Sequence, residues 1–317
     1  MRYLGKRLLL TVPTLLAVTM ASFCLIKLLP GDPALRILGT HATEPAREEL
    51  HRRLGLDRPF FVQYGLWLKH LLTGDWGQSY LTGLPIRHTI AAAIPVTAEV
   101  VLLSQALALA VAVPLATALA AHRGSAADRA GTVSAFALLA APSFIVGVLL
   151  VYVFSVRWQL LPASGYAPLS DDVVANLRDM ALPSLTLATA SVPLFLRVLR
   201  ADVVLSLEQE YVVAARSRGI SRVRLLGTHA LRPALPSLLT VAGVQLGGLF
   251  GGAVVVEYVF GLPGVGSVFL NGIFASDFLL VQACVVLFTV AYVLANLTVD
   301  LLQPLLDPRL RHAAARA

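Results

Sequence analysis

The sequence predicts an all-α polytopic membrane protein with six transmembrane helices, and three observations lead there. The 317 residues are 57% hydrophobic and only 14% charged, with a mean hydropathy of +0.77. Soluble domains carry about a quarter charged residues. Apolar runs of roughly 18 residues or more recur along the chain, long enough to cross a hydrocarbon core about 30 Å thick. These runs are apolar on every face, whereas the strands of a membrane barrel alternate over about ten residues.

Spans are expected at about 8–29, 94–121, 131–156, 182–203, 234–256 and 279–303. The first follows Arg2, Lys6 and Arg7. It is too long for a signal-peptide core, and no small-x-small cleavage site follows it closely, so it reads as a retained span. With the N-terminus inside, the inner segments 1–7, 122–130, 197–233 and 304–317 hold 15 of the 25 Lys and Arg. Seven of the other ten lie in the long segment 30–93, and long loops count little towards orientation. Both termini are therefore expected to be cytoplasmic. The basic excess of +7 marks inner loops rather than a nucleic-acid surface. Two parts follow: 1–93, a first span with a long extracytoplasmic loop, and 94–317, a five-helix core with a cytoplasmic loop over 204–233.

The long outer loop has helical content. Thr43 is placed to cap a helix over about 44–53 ended by Gly55, and Phe60, Phe61, Tyr64, Trp67 and Leu68 form an amphipathic face. That face suits either a docking protein or the aromatic-rich outer membrane interface. His41, His51, His70 and His88 lie on this side too, but their spacings are not those of a metal site on one helix. No metal site is expected. Cys24 and Cys284 both sit in apolar runs and suggest neither a disulfide framework nor zinc ligation.

Pro114, Pro142 and Pro193 are expected to kink spans two, three and four. Glu99 and Asp300 stand near the ends of spans two and six, and Arg197 or Arg200 is expected to pair with Asp202. Span five carries Gly243, Gly247, Gly248, Gly251 and Gly252, giving three overlapping G-x-x-x-G pairs. Such pairs let helix backbones approach closely, whether within one chain, against a second subunit or along a pore wall. Gln245 is a polar group of the same span. After it, Glu257 to Gly266, with Pro263, read as a folded outer loop and gate candidate.

The loop between spans four and five is the most informative stretch. Glu208 to Arg218 has acids at its start and Arg216 and Arg218 at its end, an order that suits a helix dipole. Gly219 is placed to end that helix in a left-handed conformation. Ser221 is placed to cap a second helix to about Leu231, with Pro233 and Pro236 beginning span five. Ala214 and Ala215 have almost no side-chain bulk, and Tyr211 shares a face with Ala215. Either another surface approaches closely there, or the helix lies on lipid headgroups.

Ala214-Ala215-Arg216-Ser217-Arg218-Gly219, followed by His229-Ala230-Leu231-Arg232-Pro233, resembles the cytoplasmic EAA loop of ABC-importer permeases, closest to the dipeptide/oligopeptide/nickel family. Val213 stands where the general motif has Glu, and His229 where it often has Ile; the peptide-type branch commonly lacks that Glu. Further tags run in order along the chain: Leu28-Leu29-Pro30-Gly31-Asp32-Pro33, Leu54-Gly55-Leu56-Asp57-Arg58-Pro59, Gly74-Asp75-Trp76-Gly77-Gln78-Ser79, Leu161-Pro162-Ala163-Ser164-Gly165 and Asp307-Pro308-Arg309. The resemblance implies a permease of the bacterial cytoplasmic membrane that moves a small solute by alternating access. Peptides are the first expectation, with nickel or another small solute as alternatives.

The same resemblance makes Tyr211, Ala214, Ala215, Arg216, Arg218 and Gly219 the contact to an ATP-binding subunit. The partners it implies are two such subunits, a second related permease, an extracytoplasmic solute-binding protein at Phe61, Tyr64 and Trp67, and the lipid bilayer. Gln245, Gly247, Gly248, Gly251, Glu257 and Pro263 become pathway or gate candidates. The sequence contains no G-x-x-x-x-G-K-[ST] run, so ATP and its magnesium are expected on a partner, with no cofactor and no catalytic residue on this chain. A secondary transporter or channel is the competing class, but mid-span acids are nearly absent and no repeat relates the halves.

Overall fold

The computed structural model describes residues 2–28, 43–54, 57–79 and 82–306. The stop expected at Gly55, the Pro30–Pro33 tag, His41, the Asp300 side chain and the tail from Asp307 lie outside the described residues. The described residues are organised as helices joined by turns, with one isolated bridge between Gln78 and Pro85. Two compact units result: Met1–Val96 with Pro263–Ala291, and Thr97–Leu262 with Tyr292–Ala317.

The first unit contains α1 (Arg2–Leu28), α2 (Glu44–Leu54), α3 (Phe60–Leu72), the start of α4 (Ile86–Ala121), α11 (Val265–Phe274) and the start of α12 (Phe278–Leu306). α3 begins after Pro59, whose fixed φ and missing N–H suit a helix start. It packs on α1 through Phe23, whose ring meets Phe60, Tyr64 and Trp67 at centroid distances of 5.4, 5.7 and 5.8 Å. The Tyr64 hydroxyl shares a 2.8 Å hydrogen bond with Thr19 Oγ1, which satisfies both groups inside an apolar contact. Ile86, Ile90, Val265, Leu280 and Cys284 form a separate core patched by Trp76. Beside that core, buried Ser79 donates a 2.6 Å hydrogen bond to Asp277.

The second unit contains the rest of α4, then α5 (Ala126–Ala140), α6 (Ser143–Arg157), α7 (Val173–Ala188), α8 (Val192–Leu207), α9 (Glu210–Ser217) and α10 (Arg222–Phe260), with the end of α12. Its core depends on small residues. Ala108, Ala112, Ala116 and Ala120 recur every fourth residue of α4 and are fully buried, or nearly so. They meet Phe195, Leu199 and Val203 of α8 and Ala234, Leu238 and Ala242 of α10. Lipid offers no hydrophobic drive between helices, so close backbone approach and dense packing hold them together.

Among the described residues, three helices are long and apolar enough to cross a membrane by themselves: α4, α10 and α12 up to Val299. Two further pairs are long and apolar enough only when taken together, and each is bent, α5 with α6 at 103° and α7 with α8 at 57°, as in a broken span or a re-entrant segment. Where a kinked third span was expected, α5 and α6 are two separate helices. Pro142 lacks an N–H and forces Ala141 into an extended conformation (φ −80°, ψ 126°), so α5 stops and α6 starts afresh. The fourth begins earlier than expected, at Val173, breaks after Ala188 and restarts with Pro193 in the first turn of α8, where a missing N–H costs nothing. α4 runs unbroken past Pro114. The apolar part of α1, Thr11–Cys24, is shorter than these.

The expected second helix of the 204–233 loop does not end near Leu231. It continues through a π-helical stretch, Leu225–Leu231, straight into the span as α10. Pro233 stands in the first turn after that stretch. A change from i→i+5 to i→i+4 bonding already leaves backbone groups unmatched there, so a residue without an N–H is accommodated.

Candidate functional site

The elbow between α9 and α10 is built from a few residues. α9 ends at Arg218, and Gly219 takes φ +77°, a conformation that a side chain makes unfavourable. Ser221 occupies the position before α10 but makes no side-chain cap; its carbonyl accepts from Leu225 N at 2.9 Å. Val212, Ala215 and Leu225 are buried together, with Leu207 and Ile220 around them. Burying each of the two larger side chains stabilises by about 1.5–3 kcal/mol. The Tyr211 hydroxyl donates to the His229 carbonyl at 3.0 Å and pins α9 to the π-helical stretch.

This geometry divides the expected contact residues. Ala215 does not face outward. It lies inside the elbow, because Val212 and Ala215 are three apart and share the face turned to Leu225. Ala214, Arg216 and Arg218 are exposed, as is Tyr211 despite its hydrogen bond. Two valines flank these residues in the open: Val213 at 59% and Val223 at 84% exposure.

Charged groups tie the elbow to the turn between α4 and α5. Arg123 pairs with Glu208, and Arg222 donates to the Ala121 carbonyl at 2.7 Å. Asp128, in the first turn of α5, is gripped by Arg200 through two bonds of 2.6 and 2.7 Å, and its Oδ2 also accepts from Gly124 N at 2.9 Å. The expected pairing of Arg197 or Arg200 with Asp202 is therefore wrong. Residues two apart on a helix point to different sides, and five apart is past the same-face spacing. Sequence reasoning missed Asp128, although a carboxylate following Ser125 at a helix start was the available signal; Ser125 caps the helix by accepting from Asp128 N at 3.1 Å.

The glycines of α10 fall on three faces. A methyl group at Gly243 would collide with Val299, and one at Gly247 would come within 2.5 Å of the Tyr292 ring, so these two seat α12. Gly252 lies against Leu187 of α7 in the same way. Gly248 and Gly251 meet nothing within 4 Å. With Val244, Val255 and Tyr258 they form one exposed stripe along α10. Gln245 beside it is half-buried. Polar contact between α4 and α10 comes instead from Gln105, whose Nε2 donates to the Ala242 carbonyl at 2.8 Å.

The outer candidates are also redistributed. Glu257 is not in a loop; it is fully buried in the last turn of α10, which closes on left-handed Gly261 (φ +66°). Pro263 is exposed in the short turn before α11. Glu99 accepts from the Tyr166 hydroxyl at 3.1 Å. Burial, and then the negative charge of Glu99, push the Tyr166 phenol above its usual pKa. Of the aromatic trio on α3, Phe61 is 76% exposed, whereas Tyr64 and Trp67 are turned onto Phe23 of α1.

Comparison with known proteins places this architecture. Residues 112–312 match the family of binding-protein-dependent transport system inner membrane components, and residues 1–101 match the N-terminal region of such membrane components. The chain is 37% identical over 307 residues to a Brucella abortus (strain 2308) protein named for a peptide transport system permease, covering 97% of this chain and 98% of that one. It is 33% identical over 313 residues to the oligopeptide transport system permease protein AppB of Bacillus subtilis (strain 168), covering 98% and 99%. It is 34% identical over 312 residues to the glutathione transport system permease protein GsiC of Salmonella choleraesuis (strain SC-B67), again covering 98% and 99%. With matches of this extent running from end to end of an all-helical chain, the protein belongs to the inner-membrane permeases of binding-protein-dependent ABC importers.

Proposed function

We propose that this chain is a permease subunit for short peptides, working beside a second, related permease. The reading has six spans with both termini in the cytoplasm: α1, α4, the two bent pairs, α10 and α12. The solute class rests on the relatives, which are named for peptide, oligopeptide and glutathione transport; glutathione is itself a small peptide. ATP is bound and hydrolysed by two separate subunits, because this chain has no phosphate-binding glycine loop.

The observation that carries the reading is the elbow's outer face. Val213, Ala214, Arg216 and Arg218 are exposed on and just after α9, whose inner face is already filled, and Val223 is exposed at the start of α10. Exposed apolar residues together with arginines at a rigid corner suit a surface that another protein covers. Seating α9 in a cleft of the ATP-binding subunit covers those valines and offers the arginines to acids there. Closure of the ATP-binding pair then displaces α9, and the displacement biases the spans between inward-open and outward-open states. A solute-binding protein delivers peptide at the outer surface, with Phe61 and Pro263 available to it. The open stripe of Gly248 and Gly251 faces the second permease or the solute path. No metal or cofactor is assigned to this chain.

Replacing Ala214 with Trp tests the reading, since position 214 is exposed and the elbow's own packing is untouched. The complex should still insert and assemble, while peptide-stimulated ATP hydrolysis in proteoliposomes should fall at least tenfold. A stimulated rate equal to that of the unsubstituted complex would remove the docking role of α9.

A further inference from the structure

We propose that the groove between α5 and α8 is a binding site for an anionic phospholipid of the cytoplasmic leaflet, with Arg197 holding the phosphate. The groove is walled by Phe136 and Leu139 of α5 and by Pro193 and Leu196 of α8. Arg197 and Arg200 also line it. The inference rests on the inward orientation of the α9 elbow proposed above.

The two arginines are three residues apart, on one face of α8, but their situations differ. Arg200 is committed to Asp128, and both oxygens of that carboxylate are occupied, one of them twice. Arg197 is exposed, and no acceptor among the described residues bonds it. It stands about 4.5 Å further from the cytoplasmic end of α8 than Arg200, at 1.5 Å of rise per residue. In the proposed orientation this sets Arg197 about one turn inward of Arg200 along α8, near the cytoplasmic end of the span. A cation there is costly without a partner, and its stem is long enough to reach headgroup level. Asp128 is saturated, so the anion must come from elsewhere. The lipid leaflet supplies one in the right place, and basic pockets between transmembrane helices on the cytoplasmic side recognise such headgroups. Phe136 and Leu139, 51% and 47% exposed, continue the groove away from Arg197 as an apolar track suited to an acyl chain.

The test uses the whole permease complex, delipidated in mild detergent and titrated with phosphatidylglycerol or phosphatidylcholine. Native mass spectrometry counts the lipids retained. The unsubstituted complex should hold phosphatidylglycerol in preference to phosphatidylcholine. Arg197→Gln should weaken that retention about fivefold, the factor expected of one basic side chain at a membrane surface. Arg197→Lys should keep most of it, and Leu139→Trp, which fills the groove, should lose it while Arg197 is intact. Equal retention of both lipids, or no change in Arg197→Gln, overturns the proposal. So does a photo-crosslinker at position 136 that captures the second permease instead of lipid. The orientation is checked separately by labelling Ser217→Cys in intact cells with a membrane-impermeant maleimide. Labelling from outside would refute the orientation whatever the lipid count shows.

Discussion

At the scale of single residues, Gly219 and the Asp128–Arg200 pair show two different kinds of constraint. A methyl group at Gly219 would touch nothing within 4 Å, yet the backbone there has φ +77°. Gly219→Ala should therefore cost about 1–2 kcal/mol through backbone strain alone, and Gly219→Asn less, since Asn tolerates that region. Comparing the two variants by thermal unfolding of the solubilised complex separates strain from lost contact; equal stability of both with the parent would contradict the left-handed turn. The ion pair works through burial. Asp128 is 6% exposed and Arg200 25%, so Asp128→Leu or Arg200→Met alone strands a charge and should destabilise by roughly 3 kcal/mol. The double substitution should recover most of that loss, and a double mutant as unstable as the sum of the singles would deny the coupling. Gly219 was legible in the sequence because a glycine between two charge-ordered helical segments has few other uses. The pair was not, because 72 positions separate its members and Asp202 lay deceptively near in sequence.

At the scale of elements, the glycine-rich span shows what a motif leaves open. The G-x-x-x-G spacing announces close approach but not the partner, and the five glycines divide among α12, α7 and open space. Gly243→Leu should disrupt the α10–α12 contact and lower the yield of folded protein. Gly248→Leu should leave the isolated chain's stability unchanged and impair transport, measured as uptake of a labelled dipeptide; normal uptake would mean that nothing approaches that stripe. The helix breaks were legible as prolines, yet the size of each bend was not. Pro142 ends a helix and Pro193 starts one, and a proline's effect depends on which turn it occupies. Ala215 teaches a related lesson. Small size marked it for close contact, and the contact proved to be with its own chain, through Leu225. Only the pairing of α9 with α10 reveals which face of a helix two turns long is inside.

At the scale of the whole molecule, helical class and the long apolar helices α4, α10 and α12 were written in hydropathy, because a bilayer requires every backbone group to be bonded within its own segment. The continuity of α10 was not. Two prolines suggested a joint near Leu231, and a change of helical register is found there instead. Arg222 to Phe260 is one rod of 39 residues, roughly 58 Å long at 1.5 Å per residue. A rod without a joint has no slack and no delay. A tilt of about 5° about the elbow displaces the far end by roughly 5 Å over that length. The elbow proposed to dock and the stretch that bears Gly248 and Gly251 thus move as one body. An opening on one side of α10 is, by the same motion, a closing on the other.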